Sequence, residues 1–212
     1  MAVVERPGRW PDDRFHRLAA LALLEELRAA LLSENSATVT LEHWCAAHGL
    51  AGTAATGGAV LVATRDRARA LELDGAGRMQ LGVGAGEPVR YRHVGLSCNG
   101  HLLSEADNWY VPARLTPAMN TELDSTDLPF GKVVRTLGFS RATLSSRLLW
   151  HPLPPDWSEN AGPAPSGGIL EIPAALIENR AVLHRSDGTA FSLVVETYQR
   201  GLLDFAAPAP GG

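Results

Sequence analysis

Glu196 stands in Phe191-Ser-Leu-Val-Val-Glu196-Thr-Tyr198, an apolar run that reads as a strand and carries a carboxylate into the interior of a sheet. A buried carboxyl needs a partner or a raised pKa, so a Glu in this setting is either a strand-end residue facing water or a group with chemistry to do. Arg92 occupies the analogous place in an earlier alternating run. Strand parity puts Arg90, Arg92 and Val94 on one face and Tyr91 and His93 on the other. If the two runs neighbour each other in one sheet, an Arg and a Glu can converge on a small anion that also carries a hydroxyl. A planar guanidinium fork suits a carboxylate, and a desolvated Glu suits a hydroxyl or ether oxygen.

Other reactive side chains lack the spacing their chemistry requires. His43 and His48 are five residues apart on an expected helix and do not share a ligand face, and His184 belongs to an alternating strand. Ser33, Ser36, Ser97 and Ser104 have no G-x-S-x-G elbow around them. Cys45 and Cys98 are the only cysteines, with no C-x-x-C pair and no nearby His, so neither a zinc site nor a disulfide is expected. Trp44, Trp109 and Trp150 read as core or pocket wall.

The elements that must position these residues follow from periodicity and turn signals. Residues 1–13 hold two prolines and no periodic pattern, the expectation for a flexible leader. Phe15, Leu18, Leu21, Leu24, Leu27 and Leu31 recur at three- and four-residue steps, which predicts an amphipathic helix over 13–32 capped by Asp12 or Asp13. Residues 36–48 predict a second helix ended by Gly49, 51–58 a small-residue loop, and 59–64 a short strand. The glycines at 75–77 and 82–86 punctuate a segment without clear structure. Asn99-Gly100 then joins a strand over 87–98 to one over 101–111 as a hairpin, because both turn residues tolerate positive φ. Short helices are expected over 118–125 and from Pro129 to about Leu137, a strand over 143–150, and a long irregular connection over 151–168. A second hairpin pairs 179–185 with 190–198 across Asp187-Gly188, and 206–212 read as a disordered tail.

Two hairpins with helices between them, and no βαβ rhythm or glycine-rich phosphate loop, predict an α+β domain with an antiparallel sheet and helices packed on one face. The 212 residues fit a single domain over 14–205. With 45% hydrophobic and 20% charged residues the chain can build a core. A net charge of −4 with no basic run argues against nucleic acid, and no apolar stretch reaches the roughly 20 residues of a membrane helix. Acids and prolines stand where a secretory signal needs a basic patch and an apolar run, so a cytoplasmic protein is expected. The sequence leaves the oligomeric state open.

Taken together, these segments resemble the chorismate lyase family. Arg92-His-Val-Gly-Leu-Ser-Cys-Asn-Gly100, followed by a strand closed at Val111-Pro112, is similar to that family's strand arginine, polar-Gly turn and proline-closed return. Pro129-Phe130-Gly131 resembles its Pro-Leu-Gly helix opening, with Phe130 in place of Leu. Arg180, Gly188 and Val195-Glu196-Thr-Tyr198 resemble its last hairpin, and residues 31–38 its leucine-rich segment with Ser-X-Thr. The likeness covers about 125 residues, a core over 81–205, plus the short N-terminal echo. Ser97-Cys98 and residues 105–109 depart from it.

The resemblance implies an enzyme that eliminates pyruvate from chorismate to give 4-hydroxybenzoate without metal or organic cofactor, a step of ubiquinone-precursor synthesis. It implies that Arg92 holds the substrate carboxylate and that Glu196 meets the ring oxygen. Backbone N–H groups around Phe130 and Gly131 would bind the carboxylate at a helix start, with Ala37 and Arg180 also in the substrate site. The partner implied is a small aromatic carboxylate. Residues 81–89 also resemble the effector-binding domain of GntR-type regulators, which has the same fold without the chemistry and follows a winged helix. The helix at 39–48 lacks the basic character of a recognition helix, so a non-catalytic aromatic-carboxylate sensor is the alternative.

Overall fold

The computed structural model describes residues 8–51, 61–159 and 165–210. The loop expected at 51–58, the start of the strand expected at 59, and the ends of the leader and tail fall wholly or partly outside the described residues. Six antiparallel strands form one sheet in the order β1-β2-β3-β6-β5-β4. They are β1 (Leu61–Asp66), β2 (Arg90–Cys98), β3 (His101–Tyr110), β4 (Ser140–Leu148), β5 (Ala175–His184) and β6 (Ala190–Gln199). The helices are α1 (Arg14–Ser33), α2 (Ala37–Ala47), α3 (Gly75–Leu81), α4 (Pro117–Ser125) and α5 (Phe130–Val133). The fold class is the expected α+β arrangement, and no described helix is long and apolar enough to cross a membrane.

Both hairpins form where the turn chemistry places them. Asn99 and Gly100 adopt φ 47° and 86°, the left-handed pair that matches strand twist, and they bring β2 against β3. Pairing of β3 with β6 then makes the two hairpins neighbours, with Ala106 opposite Glu196 and Asn108 opposite Val194. α1 is capped by Asp13, which accepts from the His16 backbone N–H at 2.8 Å. It buries His16, Ala20, Leu24, Leu27 and Leu31, leaving Phe15 39% exposed, so its inner stripe begins one residue later than the apolar count implies.

The core has two parts on one face of the sheet and a third behind it. α1 and α2 cover Val94, Leu96, Cys98 and Tyr198, while α4 and α5 cover Tyr110, Leu183 and Phe191. α3 packs on the opposite face, where Leu81 meets Trp109, Val182 and Leu193. Gly75, Gly77 and Gly82 hid it in the sequence. Asp74 caps it by accepting from Gly77 N–H at 2.7 Å, and Gly82 ends it at φ 60°.

Two expectations are corrected. Residues 8–13 are not a loose leader: Trp10 is fully buried, and its indole N–H donates to the Leu203 and Phe205 carbonyls. Asp12 holds Ser166 through its backbone N–H at 3.0 Å and hydroxyl at 2.6 Å, tying the start of the domain to the 151–168 connection. Cys45 and Cys98 form a disulfide, with their Cα atoms 6.5 Å apart. Spacing rules speak to clustered cysteines; a single bridge between residues 53 apart depends on α2 settling over the end of β2.

Candidate functional site

A cavity of about 60 Å³ lies between the two helical clusters, with the sheet as its floor. β2 contributes Val94 and Leu96, β3 contributes Ser104, Ala106 and Asn108, and β6 contributes Val194 and Glu196. Phe130, Gly131 and Phe139 close one side, and Asn35 to Thr38 at the start of α2 close the other. A second compartment of about 280 Å³ shares Asn35, Ser36, Thr38, Gly131 and Phe139 with it and lies against α2, α5 and the turn after α5. The walls are apolar enough for a planar ring, and the few polar groups that converge on them can fix its orientation.

Glu196 is the centre of the polar floor. It is 9% exposed and accepts both Nη groups of Arg141, at 3.3 and 2.5 Å, and the Tyr198 hydroxyl at 2.9 Å. Burial alone would lower the Arg141 pKa, but the Glu196 charge and hydrogen bonds outweigh it and hold the guanidinium above its ordinary value. Tyr198 lies well above the usual phenol range, first because it is buried and then because of the adjacent carboxylate, so it serves as a hydrogen-bond donor. Beside this pair stand polar atoms with no partner. Arg141 Nε and Ser146 Oγ are buried without a hydrogen bond, and register places Ser146 opposite Asn179 and Asn179 opposite Glu196. Each unmet group costs roughly 1–3 kcal/mol, so both are open to a further donor or acceptor beside the Glu196 carboxylate.

Of the residues singled out in the sequence, Glu196, Phe130, Gly131 and Ala37 line the cavity. Arg92 does not. It shares the face of Glu196, as parity requires, yet its guanidinium donates to the carbonyls of Leu123, Thr126 and Leu128 at 2.5, 3.2 and 2.6 Å. It is 1% exposed, and burial, with Arg65 nearby, lowers its pKa to about 10. Its fork holds the link from α4 to α5, and through it the Phe130 wall. Arg180 projects from the opposite face of the sheet, where it donates to the Gln80 side-chain oxygen at 3.0 Å. The helix start at Phe130 is a single turn, Phe130–Val133, too short for a useful macrodipole. α2 offers the longer helix start here, and Ser36 gives its first turn no side-chain cap.

Sequence reasoning missed Arg141. The strand was expected from residue 143, but Gly138 at φ 58° ends the preceding turn and β4 starts at Ser140. A register shift between Thr143 and Ser145 then reverses parity, so alternation read from the middle of the strand points away from Arg141. Among the described residues, no group of three or more His, Cys, Asp or Glu side chains is placed to hold a metal ion.

Against known proteins, the chain is 49% identical over 201 residues to the uncharacterized protein y4mC of Sinorhizobium fredii, covering 94% of this chain and 83% of that one. No protein-family model matches the sequence. Solved structures with partial likeness include YydK of Bacillus subtilis, described as a possible transcriptional regulator, at TM-score 0.37 and 16% identity over 71% of this chain. PhnF of Mycobacterium smegmatis follows at TM-score 0.41 and 16% identity over 73%. A GntR-family regulator of Enterococcus faecalis gives TM-score 0.39 and 9% identity over 71% of this chain and 96% of its own. The chain spans 59% of the YydK structure and 63% of the PhnF structure.

Proposed function

From a chain that belongs to one family with the Sinorhizobium fredii protein y4mC, a kinship that brings no activity with it, we propose a function drawn from the cavity: it binds a small aromatic carboxylate, and acts on chorismate as a pyruvate-eliminating lyase. The observation that carries this reading is Glu196, fixed by Arg141 and Tyr198 in the floor of an otherwise apolar chamber. A ring seated between Val94, Leu96, Phe130 and Val194 would present its oxygen substituent to Glu196. Its carboxylate would meet the Asn108 amide, the role that the resemblance gave to Arg92 and the Phe130 turn. An apolar cavity of 150 Å³ is known to take benzene, so the inner chamber of about 60 Å³ cannot hold a ring by itself. The ligand would span both compartments, with Phe139 or the Asn35–Ser36 lip giving way.

In the lyase reaction the ring C–O bond breaks, the ring loses a hydrogen as it becomes aromatic, and the enolpyruvyl methylene gains one to leave as pyruvate. Aromatisation supplies the driving force. The protein's part is to fix the geometry and to aim fixed donors at the departing oxygen, for which no cofactor is required. A binding protein without turnover is the second reading, favoured by the fact that Glu196 is already occupied by two donors. Purified protein incubated with chorismate is expected to release 4-hydroxybenzoate and pyruvate in equal amounts, and Glu196→Gln to abolish release. Absence of product, with 4-hydroxybenzoate still binding by calorimetry, would replace the lyase with the sensor. Absence of both would remove the aromatic-carboxylate reading.

A further inference from the structure

Lys132 is the only lysine among the 212 residues, and it lines the outer compartment. Arg135, one turn on, lines the same wall. Both are exposed, and neither side chain has a hydrogen bond or ion pair among the described residues. Many arginines elsewhere are neutralised: Arg17, Arg28, Arg67, Arg69, Arg90 and Arg114 each have a carboxylate partner. Among the described residues the one carboxylate on that wall is Glu42, so two cations face a single anion at the opening of a cavity in a chain of net charge −4. The uncapped start of α2 adds its partial positive charge to the same wall. Behind it lies the 6%-exposed side chain of Arg141, whose Nε has no partner. A cationic opening on an acidic protein raises the local concentration of anions and orients them as they enter.

We propose that the outer compartment is a subsite for a second anionic group on the ligand, a carboxylate or a phosphate, held by Lys132 and Arg135. The inference rests on the reading of the inner cavity as the seat of an aromatic acid. It narrows the ligand class to acids that carry a second negative group on the side of the ring away from the first.

The sole lysine makes the test direct. Reductive methylation with labelled formaldehyde keeps the ammonium charge and gives Lys132 its own NMR signal, separate from that of the terminal amine. Three probes are titrated: 4-hydroxybenzoate, 4-(carboxymethoxy)benzoate and 4-carboxyphenyl phosphate. The expected result is that one or both doubly anionic probes move the Lys132 signal and bind about fivefold more tightly than 4-hydroxybenzoate, the gain fading at high salt. The probe with the larger gain tells carboxylate from phosphate. The Lys132→Ala/Arg135→Ala variant should lose that gain and keep its affinity for 4-hydroxybenzoate. If 4-hydroxybenzoate binds and the dianions bind no more tightly, the subsite is overturned while the inner site stands. If none of the three binds, both fall together.

Discussion

Breaking the Arg141–Glu196 pair from either side should cost far more than removing it whole. The two side chains are 6% and 11% exposed, and their charged groups meet at 2.5 Å between nearest atoms. With charge centres about 4 Å apart and an effective dielectric near 20, the attraction is about 4 kcal/mol. Glu196→Leu alone strands a buried guanidinium, and Arg141→Met alone strands a buried carboxylate; the expected loss is about 3–5 kcal/mol in each case. For a chain of this length that is a fall in Tm of about 10 °C. Glu196→Leu with Arg141→Met leaves neither charge in an apolar interior, though the Tyr198 hydroxyl loses its acceptor, and should return stability to within about 1–3 kcal/mol of the parent. Urea and thermal unfolding of the four proteins gives the cycle directly. Single losses below about 1 kcal/mol, or a double variant as unstable as the sum of the singles, would refute the view that this pair is buried and mutually dependent.

Two further outcomes follow from contacts away from the cavity. The Cys45–Cys98 bridge closes a loop of 53 residues, for which the chain-entropy relation gives about 4 kcal/mol. Cys45→Ala with Cys98→Ala should therefore lower Tm by about 10 °C, and a melt unchanged by the double substitution would show that the bridge does not form in solution. Asp12 is held well below the usual carboxylate range, first by its hydrogen bond from Arg17 and then by those from Ser166. A depressed native pKa means that the unfolded chain binds the proton more readily, so this stabilisation is present above the ordinary Asp pKa and is lost as pH falls below it. Asp12→Asn should destabilise at neutral pH and flatten the acid side of the stability profile, and an identical profile for the two proteins would count against the contact.

Features decided within a few residues were legible in the sequence. Asn99-Gly100 and Asp187-Gly188 specify tight turns by their own backbone freedom, so both hairpins, and with them the placement of Glu196 in the sheet, could be read locally. The leucine steps of α1 and the glycine after α2 belong to the same class. What escaped depends on contacts distant in sequence. α3 is short and glycine-bounded, and it is helical because Leu81 finds Trp109 and Leu193 behind the sheet. Parity groups Arg92 with Val94 on one face but says nothing about where a long side chain ends; three carbonyls of the α4–α5 link claim its fork before any ligand does. Arg141 was hidden by a bulge that reverses the alternation used to find it. Trp10 reads as part of an aperiodic, proline-containing stretch until Leu203 and Phe205 arrive from the far end of the chain to bury it.

That last contact also bears on how far the order of elements matters to the architecture. Gly8 N–H donates to the Phe205 carbonyl at 3.2 Å, and the Trp10 and Phe205 rings meet edge to face at 5.6 Å. The first and last described parts of the fold therefore share one corner. A circularly permuted chain, joined across that corner and opened at the exposed Asn99-Gly100 turn, would keep every strand pairing while exchanging which element is made first. Elements made early and late in the chain thus close the same corner, so for this architecture the order of synthesis is separable from the order of packing.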